Sequence, residues 1–240
     1  PYDGKGVRRV VGVNTAGAYA DRVVVHESMI VPKPPELSFR LAAMAEPLSV
    51  AMHAVSLTPI GLMENVAIVG AGTIGLLTAV AARLKGAGKI FITDMSEHRL
   101  EVARQIGVDM AINIKEQDPI EVIKAETDGW GVDCAIEAVG LTPAVQQAHS
   151  MTRNGGHVTW IGNSALMIEV NMQDVVTREL SVQGSYGFTT EFPVSIQALA
   201  SGRIDVEPLI EQIVTLEEGP DYMDRLAKGE LEMAKVIIEP

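Results

Sequence analysis

The sequence predicts an α/β fold: a doubly wound, mostly parallel sheet preceded by the residual part of a β-rich unit. Three observations predict it. From Asn65 onward, short apolar runs alternate with stretches of helical periodicity, the order that builds βαβ units and a parallel sheet. A glycine-rich turn over residues 70–75 joins the first of those runs directly to the first helical stretch. Of the 240 residues, 47% are hydrophobic, enough at this length to bury one large core or two coupled ones.

The elements follow in order. Residues 7–31 carry short β-branched runs (Val7 to Val13, Val23 to Val25, Met29 to Val31) separated by turn residues, a pattern that predicts antiparallel strands. Pro32, Pro34 and Pro35 break regular pairing and mark a boundary near residue 35. The Ala-, Leu- and Met-rich turns from Ser38 through His53 then predict one or two buried helices. Strands are expected at 66–69, 90–93, 110–112, 132–136 and 157–161, with helices near 74–85, 97–106, 118–126 and 142–151. Met167 to Val170 and Leu180 to Val182 are expected to extend the sheet. A helix at 190–200, a strand at 212–214, a helix at 219–228 and a strand at 235–238 complete the chain and suit a return to the first unit. The division expected is therefore 1–35, 36–186 and 187–240.

Composition excludes several classes. A formal charge of -12 opposes binding to nucleic acid, because phosphate backbones require clustered Lys and Arg. The single cysteine, Cys134, allows no disulfide and no multi-cysteine metal cage within one chain, so a reducing, cytoplasmic setting is expected. The apolar runs are broken by Gly and closed by Arg83, far short of a membrane span. There is no basic, apolar leader, and the chain opens on Pro1, as a processed chain or part of a longer one does.

The run Val69-Gly70-Ala71-Gly72-Thr73-Ile74-Gly75 carries the chemistry. A Gly-x-Gly-x-x-Gly run alone is weak; between a buried strand and a helix it is a dinucleotide fingerprint and predicts a Rossmann domain. Gly70 permits the tight turn, Gly72 lets the backbone approach a pyrophosphate, and Gly75 allows helix and strand to pack closely. The amides of Thr73 and Ile74 open the helix, where unpaired N–H groups favour an anion. Asp94 ends the second strand about 20 residues further on, where a ribose-binding carboxylate belongs. Such a carboxylate accepts from ribose hydroxyls and repels a 2′-phosphate, so NAD is expected over NADP. Two readings of Arg99 stand open: a group that stacks on adenine or accommodates NADP, and a solvated helix residue.

The fourth and fifth strands end in Glu137-Ala138-Val139-Gly140 and Trp160-Ile161-Gly162-Asn163. Val139, Gly140 and Ile161 are expected to line the cofactor path, since open α/β sheets bind ligands at the carboxyl ends of strands. Glu137 either touches cofactor or caps the following helix, with the structural role favoured. Ser49 and His53 share a helix face and read as packing rather than a catalytic relay. His26, His98, His149 and His157 show no metal-ligand spacing. Cys134 reads as a buried structural thiol.

Glu46-Pro47-Leu48-Ser49-Val50, the glycine run, Asp94, Glu137-Ala138-Val139-Gly140 and Gly184-Ser185-Tyr186, in that order, carry a family resemblance. From about Gly17 to its end the chain resembles the zinc-dependent medium-chain dehydrogenases, in the sorbitol (polyol) and threonine dehydrogenase branch. The absence of any Tyr-x-x-x-Lys pair separates it from the short-chain dehydrogenases. Residues 1–35 resemble only the closing strands of the family's GroES-like catalytic domain, through Gly17-Ala18-Tyr19-Ala20 and Val23-Val24-Val25.

The resemblance implies hydride transfer between a secondary alcohol and NAD, a small alcohol or polyol substrate, and a homo-oligomer, dimer or tetramer, joined through the segment from Leu166 to Asn171. It implies that backbone groups of Ser185 and Tyr186 hold the nicotinamide carboxamide. It implies zinc, with Glu46 as the metal-side and catalytic residue that remains; catalytic zinc takes three protein ligands, so one carboxylate leaves the site incomplete. Gly187 replaces an arginine that polyol dehydrogenases tend to carry. Two alternatives stay open beside a dehydrogenase: a truncated, non-catalytic NAD-binding protein, and a zinc-free reductase.

Overall fold

A computed structural model describes residues 11–20 and 22–239. Its centre is a six-stranded parallel sheet. The strands are β1 (Val66–Val69), β2 (Ile90–Asp94), β3 (Met110–Asn113), β4 (Val132–Glu137), β5 (Thr152–Trp160) and β6 (Ser181–Gly184), in the spatial order β3-β2-β1-β4-β5-β6. Strand order therefore reverses between β1 and β4, the switch point at which doubly wound sheets open a ligand crevice. β1 is buried along its whole length, pairing Val66 with Ile90 on one side and Cys134 on the other. A strand covered on both faces needs a continuous apolar run, which Val66-Ala67-Ile68-Val69 supplies.

Side-chain alternation builds two cores. Val66, Ile68, Ile90, Ile92, Cys134 and Ile136 point to one face, where α2 (Ala45–Leu57), α3 (Thr73–Lys85), α4 (Glu97–Gln105) and α8 (Glu191–Ala200) pack. Ala67, Val69, Phe91 and Ala135 point to the other, under α5 (Pro119–Glu126) and α6 (Thr142–Met151). Helix ends are locally encoded. Asp118 accepts from the Ile120 amide at 2.8 Å ahead of Pro119 to start α5. Gly86, at φ +106, ends α3 in the left-handed conformation. A short α1 (Phe39–Ala42), capped by Ser38, precedes α2. After α8 come β7 (Ile210–Val214), α9 (Gly219–Ala227) and β8 (Lys235–Ile238), with β7 and β8 paired in a separate parallel ribbon.

Three local expectations are corrected. Residues 23–25 and 29–31 form no strand; a single 3-10 turn, Glu27–Met29, lies there and Val24 is 97% exposed. A strand requires a partner for its amides, and among the described residues none lies alongside. Val7–Val10 lie outside the described residues; Val11 makes only an isolated bridge with Thr15. Residues 167–170 do not extend the sheet either. That segment is pinned across the start of α6, with the Glu169 amide donating to Thr142 Oγ1 at 3.1 Å and Gln146 Nε2 to the Glu169 carbonyl at 3.1 Å. It leads into a short helix, α7 (Met172–Thr177), not among the elements expected, and β6 takes the edge, as expected of the run at 180–182. Finally β5 begins five residues early, at Thr152 rather than 157, and accommodates the extra length by a register shift against β4, with Gly155 at φ +68.

Candidate functional site

The site is built on three loops at the carboxyl ends of β1, β4 and β5. Gly70 leaves β1 at φ +98, and a Cβ there would meet Val139 Cγ2 at 2.7 Å, so the first loop lies directly on the fourth-strand loop. A Cβ on Gly75 would fall 1.8 Å from the Gly70 carbonyl oxygen, which is why the first turn of α3 approaches the strand end so closely. Gly72 is different. It caps α3 in an extended conformation, and a Cβ built there meets nothing within 4 Å. Space stands open in front of the α3 N-terminus where Thr73 and Ile74, both half-buried, begin the helix. Free amides and a helix dipole facing open space make an anion cradle.

Asp94 closes one side of that cradle. Its Oδ2 accepts the Ala71 amide at 2.7 Å and its Oδ1 the Ser96 amide at 2.8 Å. A carboxylate holds about four lone-pair positions, so each oxygen retains one for a diol. Arg99 lies next to it, its amide on Ser96 Oγ at 3.4 Å and its Nε donating to the Glu232 carbonyl at 3.1 Å. On the opposite side Glu137 is fully buried. Its Oε1 accepts the Val139 and Gly140 amides, both at 2.7 Å, while Oε2 has no partner among the described residues. Burial raises its pKa, against the lowering by the two amides. Glu137 thus shapes the fourth-strand loop from beneath; its role is structural, but it does not cap the following helix, because its carboxyl is taken by loop amides two and three residues on, ahead of the start of α6. Gly140, at φ +81, touches the fifth-strand loop: a Cβ on Gly162 would lie 2.0 Å from the Gly140 nitrogen. Ile161 packs onto the main core, the Ser185 amide donates to the Trp160 carbonyl at 2.8 Å, and Tyr186 is exposed.

Gly70, Gly72, Thr73, Ile74, Gly75, Val139, Gly140 and Ile161 stand in or next to the loops at the carboxyl ends of β1, β4 and β5; Asp94 ends β2 and binds the first loop, Arg99 lies in the first turn of α4, and Ser185 follows β6. Glu46 is not among these strand-end loops. It stands exposed in the first turn of α2. Ser49 and His53 do not form a relay: Ser49 Oγ donates to the Ala45 carbonyl at 2.6 Å and lies 2.9 Å from Ser195 Oγ, a hydroxyl of α8, while His53 Nδ1 pairs with Glu191 Oε1, also of α8, at 2.9 Å. Both contacts join α2 to α8. Cys134 is buried mid-strand, and burial pushes its thiol up to about 12, so it is not a thiolate at neutral pH.

Residues 73–201 match the sequence profile of the zinc-binding dehydrogenase family. The chain belongs to that family. A family member, the sorbitol dehydrogenase of Bacillus subtilis (strain 168), is 35% identical over 225 residues, which are 93% of this chain and 64% of that enzyme. The chain thus spans somewhat less than two thirds of that relative's length. Among solved structures, a protein described as a zinc-binding dehydrogenase from Sinorhizobium meliloti 1021, bound to NADP, superposes with a TM-score of 0.90 at 29% identity, covering 97% of this chain and 68% of that one. A protein described as a short chain alcohol dehydrogenase from Escherichia coli CFT073, complexed with NADH, gives 0.88 at 25% identity with the same coverages.

The two groups the family implies fare differently against these residues. The residues present are compatible with a dinucleotide: the helix start at Gly72 has room for a pyrophosphate, and Asp94, bound to two backbone amides, keeps lone pairs that a ribose diol could use. A metal does not fit, since among the described residues no three His, Cys, Asp or Glu side chains come together as ligands. Sequence reasoning missed Ser96, which caps α4 and binds Asp94, and the segment around Glu232 that lies against it. A Ser ahead of Glu97 in a helix-start pattern signals the first; nothing local signals the second.

Proposed function

We propose that this chain is the cofactor-binding part of an NAD-dependent alcohol or polyol dehydrogenase. The observation that carries the reading is Asp94, bound to the Ala71 and Ser96 amides with lone pairs to spare, beside the open cradle at Gly72. When bound, the nicotinamide ring supplies the acceptor for a hydride from a secondary alcohol carbon. The chain's own residues bind and orient. Gly72, Thr73 and Ile74 receive the pyrophosphate, Asp94 the adenosine ribose, and Val139, Gly140 and Ile161 line the path toward the nicotinamide. The expected backbone contact to the carboxamide is narrowed, since the Ser185 amide donates to the Trp160 carbonyl at 2.8 Å; the Ser185 carbonyl and the backbone of Tyr186 are left for it, with Ser185 Oγ, buried and without a partner among the described residues, beside them.

In this reading residues 36–186 form the cofactor domain, 1–35 are the remnant of a catalytic domain, and 187–240 return to it. The Tyr19 hydroxyl, which donates to the Leu216 carbonyl at 2.5 Å, supports that return. A homo-oligomer, dimer or tetramer, in a cytoplasmic setting belongs to the same proposal. The exposed edge strand β6 and exposed Leu166 and Met167 support the assembly, and a single buried cysteine supports a reducing compartment. No described helix is long and apolar enough to cross a membrane.

Titrating the purified chain with NADH, followed by tryptophan quenching and energy transfer, tests the reading; saturable one-to-one binding is expected, and no binding overturns it. Glu46, exposed and without a ligand cluster among the described residues, favours a second reading of the chemistry: a non-catalytic NAD-binding chain or a metal-free reductase. NADH binding without turnover of sorbitol or threonine, with or without added zinc, selects the former. Turnover that survives a chelator selects the latter.

A further inference from the structure

The adenosine end of the crevice is bordered by a piece of chain far away in sequence. Residues 232–234, just ahead of β8, cross from the start of α4 to the start of α3. Glu232 Oε2 accepts the Ser96 hydroxyl at 2.6 Å, the Glu232 carbonyl accepts Arg99 Nε at 3.1 Å, and the Ala234 carbonyl accepts the Thr73 hydroxyl. The first and last residues of this strap are thus tied to the two helix N-termini that frame the site. The Ala234 amide is in turn held by Glu211 of β7.

Two carboxylates therefore meet at one residue. Asp94 accepts the Ser96 amide and Glu232 accepts the Ser96 hydroxyl. The hydrogen bond from Ser96 holds the Glu232 carboxyl below its ordinary range against the raising effect of burial, with the charges of Lys115, Arg99 and His98 adding to the lowering, so it is ionised at neutral pH. The same charges define the alternative. Arg99 and Lys115 are cations beside a ribose site, the arrangement that accommodates a 2′-phosphate when nothing offsets it. The other nearby acids are engaged elsewhere: Glu97 is paired with Arg104 at 2.8 Å and accepts from Asn113 Nδ2 at 3.1 Å, and Glu211 is paired with His98 and holds the Ala234 amide. Glu232 is the acid whose carboxyl lies in the field of both Arg99 and Lys115, without a direct ion pair to either among the described residues.

We propose that Glu232 is a specificity-determining residue of the cofactor site, its carboxylate on Ser96 adding to Asp94 a second negative charge that excludes a dinucleotide bearing a 2′-phosphate. The inference rests on the dinucleotide reading of the crevice. It explains how a chain with an arginine and a lysine at the ribose end takes NAD. It also assigns Arg99: tethered to the strap's backbone, it is held in place with its charge countered.

The test is titration of the whole chain with NADH and with NADPH, for wild type, Glu232→Gln and Glu232→Asp, at low and high salt. Because Glu232 is exposed, its repulsion of a phosphate is screened, and the NADPH-to-NADH ratio of Kd values is expected to fall about fivefold in Glu232→Gln. Glu232→Asp is expected to retain most of the wild-type ratio. The difference between wild type and Glu232→Gln is expected to shrink at high salt, which a merely structural strap would not do. A Kd ratio unchanged in Glu232→Gln, or both affinities falling together, overturns the role of Glu232 and leaves the cofactor site standing. Failure of wild type to bind NADH overturns both.

Discussion

Asp94 and Ala71, 23 residues apart, are joined by a 2.7 Å hydrogen bond in which the carboxylate accepts the amide of the glycine-rich loop. The residue that would receive the ribose also holds the loop that would receive the phosphates, so the two halves of the adenosine site are set by one side chain. Both Asp94 oxygens accept backbone N–H groups. An amide in its place turns an NH2 toward one of those donors and leaves it unpaired. Asp94→Asn is therefore expected to lose about 1–3 kcal/mol of stability and to weaken NADH binding at least about tenfold, equivalent to 1.4 kcal/mol. Chemical denaturation and NADH titration read the two effects separately.

The two later glycines of the fingerprint should part company. At Gly75 a Cβ collides with the Gly70 carbonyl at 1.8 Å, whereas at Gly72 it meets nothing within 4 Å, with φ at -71. Gly75→Ala is expected to destabilise the fold by more than about 2 kcal/mol. Gly72→Ala is expected to leave stability within about 0.5 kcal/mol while reducing NADH affinity at least about tenfold, because the methyl group fills the space a pyrophosphate needs. Equal NADH affinity in Gly72→Ala would place the phosphates elsewhere.

Glu137 makes stability depend on pH. Its folded-state pKa is raised above the ordinary 4.5, first by burial. A raised acid favours the folded state most at low pH, and that contribution is lost as pH rises through the folded-state value. Glu137→Gln keeps an oxygen for the Val139 and Gly140 amides and cannot ionise. The melting temperature of wild type relative to Glu137→Gln is expected to decline from the ordinary carboxylate range upward. A difference that stays flat with pH would show that Glu137 does not titrate in the folded chain.

Glu191 carries the opposite sign. Burial acts to raise its pKa, but the hydrogen bond from His53 and the amides of Thr189, Glu191 and Thr190 outweigh it and bring it down to about 2. Its contribution is present above 4.5 and is lost as pH falls toward 2. Removing it by Glu191→Ala is expected to cost up to roughly 3 kcal/mol at neutral pH, the worth of such a shift, and to flatten the acid limb of the denaturation profile. Urea melts between pH 7 and 3 check both.

The edge strand offers a test of assembly. β6 is exposed along its length, with Val182 on it. A lysine blunts an edge against pairing, so Val182→Lys is expected to weaken self-association at least about tenfold in sedimentation equilibrium. A wild-type chain that sediments as a monomer at all concentrations would remove the basis for a dimer.

The strand-turn-helix unit around Gly70, the carboxylate at Asp94 and the order of the βαβ units were all legible in the sequence. Each is local: a buried parallel strand must be apolar throughout, a phosphate turn must be glycine, and a helix start must be capped, all within some 30 residues. What the tertiary structure alone decided is nonlocal. The runs at 23–25 and 29–31 have the composition of strands and no partner among the described residues; residues 167–170 have it too, yet hydrogen bonds to Thr142 and Gln146 hold them away from the sheet edge. The approach of Gly162 to Gly140 and of Glu232 to Ser96, 136 residues away, depends on where the sheet sets two distant segments down. Local pattern states what a segment is able to form; the partner for its hydrogen bonds and charges is chosen by the packing of the whole chain.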